Sequence, residues 1–259
     1  MNKVTLITGA AGGLGKEFAK IYAKNKNNLV LVGQHLDGLE EAKEFVLKEY
    51  PNILIDLVEA DLSKVDEMEK VFDYCNSKGY FVNNLVNAAG FGDCTDFKDM
   101  VISKQLKMTE VNCNAVLYFT RVFLDNMLKY NEGHIINISS IAGMVPGPYM
   151  CTYHATKNFV TSFGESVAYE LRKTNVHLLT LCPGPFISKF VSQAHNDYTF
   201  SKIKPASAYD VALYGYKMSN KNKTLKVFGF KNKCTVFFPR FFSRKFVAKM
   251  SAKTIKKGV

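Results

Sequence analysis

Short apolar runs alternate with longer amphipathic stretches along most of this chain. Residues 3–8, 28–33, 53–59, 84–87, 134–138, 176–182 and 225–230 have the length and apolar character of strands. Between them, apolar residues recur at helical spacing, as with Leu14, Phe18, Ile21 and Tyr22 in 13–26, and Val111, Ala115, Phe119, Val122 and Phe123 in 108–130. Further helices are predicted over 37–50, 64–78 and 208–218, and over a stretch that carries Tyr153 and Lys157 and ends near residue 173. Regular alternation of strand and helix, without repeats or a low-complexity linker, predicts an α/β fold. The expected form is a doubly wound parallel sheet between two helical layers, in a single domain reaching to about residue 230.

The residues at the strand ends turn this outline towards chemistry. TGAAGGLG at 8–15 joins the first strand to the first helix. Its glycines at 9, 13 and 15 allow a tight turn and close approach to a pyrophosphate, and the helix start supplies free N–H groups and a positive dipole end. Strand, turn, helix and second strand fit one unit of about thirty residues, which favours nucleotide binding over a purely structural turn. After the second strand, an acid would bind a ribose 2′-OH and a base a 2′-phosphate. The chain there reads Gly33-Gln34-His35-Leu36-Asp37. The lack of an acid at the strand end argues against strict NAD use, Gln34 and His35 are weaker phosphate ligands than arginine, and Asp37 reads as a first-turn or capping acid.

Further along, Ser63 is placed to cap the third helix, and Asp61 is either a partner for an adenine amino group or an ordinary loop aspartate. Ala88-Ala89-Gly90 leaves room for a flat ring, or simply makes a turn. Asn112 either ties backbone to a water chain behind a lysine or bonds its own neighbours. Pro183-Gly184-Pro185 suits a fixed turn beside a cofactor amide, with Ser188 near its phosphates. The following 186–205 mixes apolar anchors (Phe190, Val191, Phe200) with His195 and Tyr198, as either a lid or an irregular crossover does.

The stretch 139–157, SSIAGMVPGPYMCTYHATK, is the best candidate for catalysis. Tyr153 and Lys157 are four apart and share a helix face, and a fixed ammonium lowers a phenol pKa from its free value near about 10. Ser140, thirteen residues before Tyr153, could bond the same reacting oxygen. The YxxxK spacing taken alone more often marks a solvated helix face.

Composition bounds the rest. With 47% hydrophobic and 22% charged residues among 259, the chain reads as a soluble globular protein. No apolar run approaches a membrane span, and the N-terminal apolar stretch is too short for a secretory leader. Six scattered cysteines without a zinc-like spacing point to reduced thiols in a cytoplasmic protein and to no metal site. The net charge of +11 is uneven: thirteen of the 34 basic residues and none of the 23 acidic ones follow Asp210, so the first 210 residues hold 21 basic against 23 acidic, a net −2. The tail places Phe242, Phe246 and Met250 on one stripe and Lys245, Lys249 and Lys253 on another. Such a segment fits an anionic membrane surface, but packing of its apolar stripe on its own body or on another subunit is the commoner outcome. Nucleic-acid binding has only the basic tail in its favour, and none is expected.

Taken together, TGAAGGLG at 8–15, NAAG at 87–90, Asn112, Ser140, YHATK at 153–157 and PG at 183–184 resemble the short-chain dehydrogenase/reductase (SDR) family, in order and spacing, over residues 3–190. The resemblance implies a Rossmann-like three-layer α/β/α domain. Residues 1–230 would then be the dinucleotide-binding and catalytic unit, and 231–259 a basic amphipathic extension packed on or near it. It implies catalytic roles for Tyr153 as acid or base, Lys157 in lowering its pKa and binding the nicotinamide ribose, Ser140 in orienting the carbonyl and Asn112 in a water-linked proton relay. It assigns Gly9, Gly13, Leu14 and Gly15 to the cofactor turn, Asp61 and Leu62 to adenine, and Asn87, Ala88, Ala89 and Gly90 to the cleft. Two positions depart from the family pattern: Gln34-His35 stands where NADP-using relatives tend to carry arginine, and Ser188 replaces the threonine common after PG. The implied activity is an NADP(H)-dependent carbonyl reductase or alcohol dehydrogenase, NAD being the other possible cofactor. Its substrate would be a ketone or secondary alcohol of apolar, acyl or steroid-like kind, and relatives commonly form dimers or tetramers. The competing reading is a non-enzymatic nucleotide sensor or a membrane-associated scaffold on the same fold.

Overall fold

The computed structural model describes residues 2–187 and 205–256. Strands β1 (Asn2–Thr8), β2 (Asn28–Gly33), β3 (Ile55–Glu59), β4 (Tyr80–Asn87), β5 (Gly133–Ile138), β6 (Val176–Cys182) and β7 (Leu225–Val227) form one parallel sheet in the order β3-β2-β1-β4-β5-β6-β7. The order reverses between β1 and β4, and the crevice outside the carboxyl ends of these two strands is where open α/β sheets hold ligands.

Alternation along the strands explains the two flanking layers. Val4 and Leu6 of β1 and Val30 and Val32 of β2 face one side, where they pack with Met68 and Val71 of α3 (Val65–Ser77), Phe119 and Phe123 of α5 (Ala115–Tyr130) and Ala168 of α6 (Cys151–Glu170). Ile7, Leu29 and Leu31 face the other side, against Phe18 of α1 (Gly13–Lys24), Leu39 of α2 (Leu36–Leu47) and Val211 of α7 (Ala208–Ser219). Phe119 is fully buried, with its ring centroid 6.1 Å from that of Phe123. Phe119→Ala is expected to cost about 3–5 kcal/mol, read as a lower urea midpoint at unchanged slope.

Several boundaries differ from the sequence expectation for identifiable reasons. Helix α2 stops at Leu47, three residues early, ahead of Pro51, which disfavours helical backbone in the residue before it. Ser63 does not cap α3; its N–H and hydroxyl both donate to Asp61 Oδ1, at 3.1 and 2.8 Å, and the cap position falls on Lys64. The long helix expected over 108–130 is divided: α4 (Ile102–Thr109) leads into a π turn, Glu110–Asn114, and then α5. Strand β7 ends at Val227, because Gly229 takes a left-handed φ of 86° and starts α8 (Phe230–Phe237).

The tail continues through a 3₁₀ turn, Phe238–Phe241, into α9 (Arg244–Lys256). Helix α9 buries Val247 and Ile255, not the stripe of Phe242, Phe246 and Met250, which is 45–53% exposed. No helix among the described residues is long and apolar enough to cross a membrane.

Candidate active site

The first loop builds one wall of the crevice. Gly9 has a φ of +65°, and a side chain there would bring its Cβ within 2.7 Å of Ala89 Cα. A Cβ on Gly15 would lie 2.3 Å from the Gly9 carbonyl oxygen, so the turn closes only with glycine at both positions. Thr8, at the end of β1, accepts from the backbone N–H groups of Ala88 (3.1 Å) and Ala89 (3.2 Å) and so locks the two sides of the switch point together. Sequence reasoning did not single out Thr8. At the start of α1 no side chain caps Gly12 and no acid occupies the first turn, so nothing negative competes for the first N–H groups of a helix that includes Gly13, Leu14 and Gly15. This end of the crevice fits a pyrophosphate.

The adenosine end is more crowded than the sequence suggested. Asp61 Oδ1 accepts twice from Ser63, and Oδ2 accepts from Lys107 Nζ of α4 at 2.9 Å and from Gln34 Nε2 at 3.3 Å. A carboxylate offers about four acceptor positions, and all are used. Partial burial would raise the Asp61 pKa, but the hydrogen bonds from Lys107 and Ser63 outweigh it and hold the group at about 2. An adenine amino group would reach this carboxylate only by displacing a partner, and the Gln34 bond is the longest. Lys107 is a second residue that sequence reasoning missed; its only signal is a lysine five positions before Asn112. His35 is exposed and makes no side-chain cap to α2, whose first N–H, from Leu36, donates to Glu59 at 2.9 Å. Leu62 is buried in the core beside α3, so its side chain does not line the crevice.

Beyond β4, Asn87 also turns inward. Its Nδ2 donates to Asn137 Oδ1 at 2.8 Å and Thr120 Oγ1 at 3.3 Å, and its buried Oδ1 has no hydrogen-bond partner among the described residues. Ala88 and Ala89 are partly buried and Gly90 is exposed. A Cβ on Gly90 would sit 3.0 Å from Asn112 Oδ1 and 3.3 Å from Lys157 Nζ, which puts these three residues at one point.

The π turn explains how Asn112 gets there. A wider turn re-aims the side chain inward, and such turns are frequent at functional sites. Asn112 is fully buried. It donates to the Phe91 carbonyl (2.9 Å) and to Thr156 Oγ1 (3.0 Å), and accepts from the Phe91 N–H (3.1 Å). Its side chain therefore bonds its neighbours and ties the loop after β4 to α6.

Strand β5 delivers the serine pair. Ser139 faces inward, with its Oγ 2.8 Å from the Lys157 carbonyl and 2.7 Å from Thr161 Oγ1. Ser140 faces the crevice edge; its Oγ accepts from the Ala142 N–H at 3.1 Å, donates to the Pro183 carbonyl at 3.5 Å and lies close enough to the Tyr153 phenol to act on its charge. Lys157 is 5% exposed, donates to the Ile138 carbonyl at 2.9 Å and lies 5.9 Å from the centre of the Tyr153 ring. Burial lowers the Lys157 pKa to about 8. Burial also pushes the Tyr153 phenol up to about 12, against the opposing pull of the Ser140 hydroxyl. The expectation of a phenol lowered by its lysine is not met in this arrangement, where burial raises the phenol and the Lys157 ammonium is not among the groups that act on it.

The turn after β6 closes this side. The Pro183 carbonyl accepts from the Ile141 N–H at 3.0 Å, and Gly184 lies under Asn232 of α8, where a Cβ would come within 2.4 Å of its Nδ2. Ile255 of α9 forms one small apolar cluster with Cys94 and Met150, and Tyr149 and Tyr153 pack against that cluster. Ser188, with the lid candidates Phe190, Val191, His195, Tyr198 and Phe200, lies outside the described residues.

A sequence profile described as short chain dehydrogenase matches residues 3–199, most of the chain. The protein belongs to the short chain dehydrogenase family. It is thus an oxidoreductase acting on CH–OH donors. Among relatives of this family, the uncharacterized oxidoreductase YvrD of Bacillus subtilis (strain 168) is 33% identical over 183 residues, covering 71% of this chain and 68% of its own. Among solved short-chain dehydrogenases, the Sphingobium yanoikuyae enzyme in complex with NADPH superposes with a TM-score of 0.82 at 18% identity, over 100% of this chain and 96% of its own. A 7β-hydroxysteroid dehydrogenase gives 0.84 at 22% identity, over 96% of both chains. The Burkholderia phymatum enzyme in complex with NAD gives 0.84 at 24%, over 93% of both. These likenesses establish the shared fold.

Proposed function

We propose that the protein is an NADP(H)-dependent carbonyl reductase that converts an apolar ketone to a secondary alcohol. The observation that carries the reading is the gathering of the Ser140 and Tyr153 hydroxyls at the carboxyl edge of the sheet, with the buried ammonium of Lys157 5.9 Å from the centre of the Tyr153 ring. A nicotinamide cofactor, when bound, supplies or accepts the hydride. Tyr153, held protonated by burial, is poised to give its proton to a carbonyl oxygen, and Ser140 holds that oxygen in line. Lys157 keeps positive charge next to the phenolate that remains, and Asn112 fixes the loop and helix around it. The apolar cluster of Ile255, Met150, Tyr149 and Cys94 around Tyr153 favours an apolar substrate over a small hydroxy acid. A hydroxysteroid dehydrogenase among the structural neighbours agrees with that choice.

The preference for NADP rests on the residues that follow β2, Gln34 and His35, neither of them an acid, and on the Lys107 ammonium, which shares Asp61 Oδ2 with Gln34. Structural neighbours hold NADPH, NAD or NADP, so they favour a nicotinamide cofactor without choosing between the two kinds. Fluorescence titration is expected to show NADPH binding at least about tenfold more tightly than NADH, a gap of about 1.4 kcal/mol. Lys107→Gln is expected to shrink it. Equal affinities, unchanged by the substitution, would remove the NADP assignment. We place the enzyme in the cytoplasm, in keeping with its six free thiols. We expect it to self-associate through exposed apolar side chains such as Leu117 and Leu128 of α5 and Phe159 of α6.

A further inference from the structure

Helix α9 has two apolar faces, and only one of them is used by the fold. Val247 and Ile255 are buried, at 8% and 7% exposure, whereas Phe246 and Met250 stand 45% and 48% exposed on the outer side. The outer face continues upstream. Phe237, Phe238, Phe241 and Phe242 are 51–70% exposed, and their rings meet each other instead of the body: Phe237 lies 6.0 Å from Phe238 and 5.4 Å from Phe241, and Phe242 lies 5.0 Å from Phe246. Contiguous exposed aromatic surface of this kind marks an interaction site.

The charges around it select the partner. Arg240, Arg244, Lys245, Lys249 and Lys253 are interleaved with these aromatics, and no acidic residue follows Asp210. A two-fold contact between copies would set this patch against itself and face cations with cations, with no carboxylate of the segment to separate them. An anionic phospholipid surface satisfies both features, since cations meet the headgroups and phenylalanine rings reach the acyl boundary. At thirteen residues, α9 is too short to span the bilayer and suits lying on it.

We propose that the segment Phe230–Lys256 docks the enzyme on an anionic phospholipid surface. The inner face of the same helix joins, through Ile255, the apolar cluster against which Tyr153 packs, so docking brings the site close to the bilayer. The substrate is then a ketone dissolved in the membrane. That last step rests on the reductase reading above, whereas docking does not.

The test is flotation of the full chain with vesicles of phosphatidylcholine alone or with about 30 mol% phosphatidylserine. Binding is expected to be at least about tenfold stronger on the anionic vesicles and to be lost at high salt. The variant Phe238→Ser/Phe241→Ser/Phe242→Ser, altered only at exposed positions, is expected to lose about tenfold in binding with an unchanged melting temperature. With substrate, this variant should turn over a water-soluble ketone normally and a vesicle-dissolved one slowly. Absence of binding to anionic vesicles overturns the docking proposal and leaves the reductase reading intact. So does a triple variant that binds like wild type. Loss of a concentration-dependent dimer without vesicle binding would instead assign the patch to self-association, and tighter binding of single-stranded RNA than of vesicles would assign it to nucleic acid. Vesicle binding without ketone turnover would uphold docking and overturn the reductase.

Discussion

Tyr153→Phe is expected to lower kcat for ketone reduction by about 10²–10⁴-fold while leaving NADPH affinity nearly unchanged. The substitution removes one oxygen and keeps the ring that packs with Met150 and Ile255. The fold therefore survives, and Ser140 loses its hydroxyl neighbour. Because burial holds the phenol near about 12, the wild-type group is protonated across the physiological range, the form that the proposed role as an acid needs. Without that proton source, carbonyl reduction would leave an alkoxide in a buried site, which is costly. Stopped-flow single turnovers, compared with an independent cofactor titration, separate the chemical step from binding.

Lys157→Met is expected to abolish turnover and at the same time to stabilise the fold. The Lys157 side chain is almost fully buried, donates a hydrogen bond to the Ile138 carbonyl, and has its pKa lowered from 10.5 to about 8 by desolvation. Its folded pKa lies below the unfolded one, so the unfolded chain binds more protons between those values, and stability rises with pH across about 8 to 10.5. Below about pH 8 the full cost of burying the ammonium is present. At roughly 1.4 kcal/mol per pKa unit this is on the order of 3 kcal/mol, against about 1 kcal/mol for the hydrogen bond lost by methionine. The net expectation at pH 7 is a gain of about 2 kcal/mol, seen as a melting temperature raised by roughly 4–8 °C. The gap between variant and wild type should close as pH climbs from 8 towards 10.5. Thermal melts at pH 7 and pH 10 check both magnitude and sign. A buried cation kept at a cost to stability is what a functional site is expected to contain.

The strands and most helices were legible because their apolar residues keep a period of two or 3.6, and a sheet with two covered faces leaves little freedom about where they go. The ends were legible only where a strong local signal exists. Pro51 and the left-handed Gly229 moved boundaries that periodicity alone extended too far. The π turn at Glu110–Asn114 was invisible, since an inserted residue leaves the apolar spacing almost unchanged while re-aiming Asn112. The choice of Ser140 over Ser139 came from the family resemblance, and the structure turns Ser139 onto the Lys157 carbonyl. What spacing could not reach were contacts between distant segments. Lys107 on Asp61, Thr8 on the Ala88 and Ala89 amides, and Ile255 in the cluster beside Tyr153 join elements from 46 to more than 100 residues apart. The tail shows the same limit. Its amphipathic stripe was visible, but only packing reveals that Val247 and Ile255 face the body and the phenylalanines do not.

The central claim is that the residues gathered at the switch point catalyse reduction instead of merely binding a nucleotide. The most direct measurement is transfer of label from NADPH deuterated at both hydrogens of the nicotinamide C4 into apolar ketones, followed by mass spectrometry of the alcohols. The account predicts one deuterium on the carbinol carbon for each NADPH oxidised, and no product with Tyr153→Phe beyond its residual rate. Tight cofactor binding with no deuterium in any product would contradict it and leave a nucleotide sensor on the same fold.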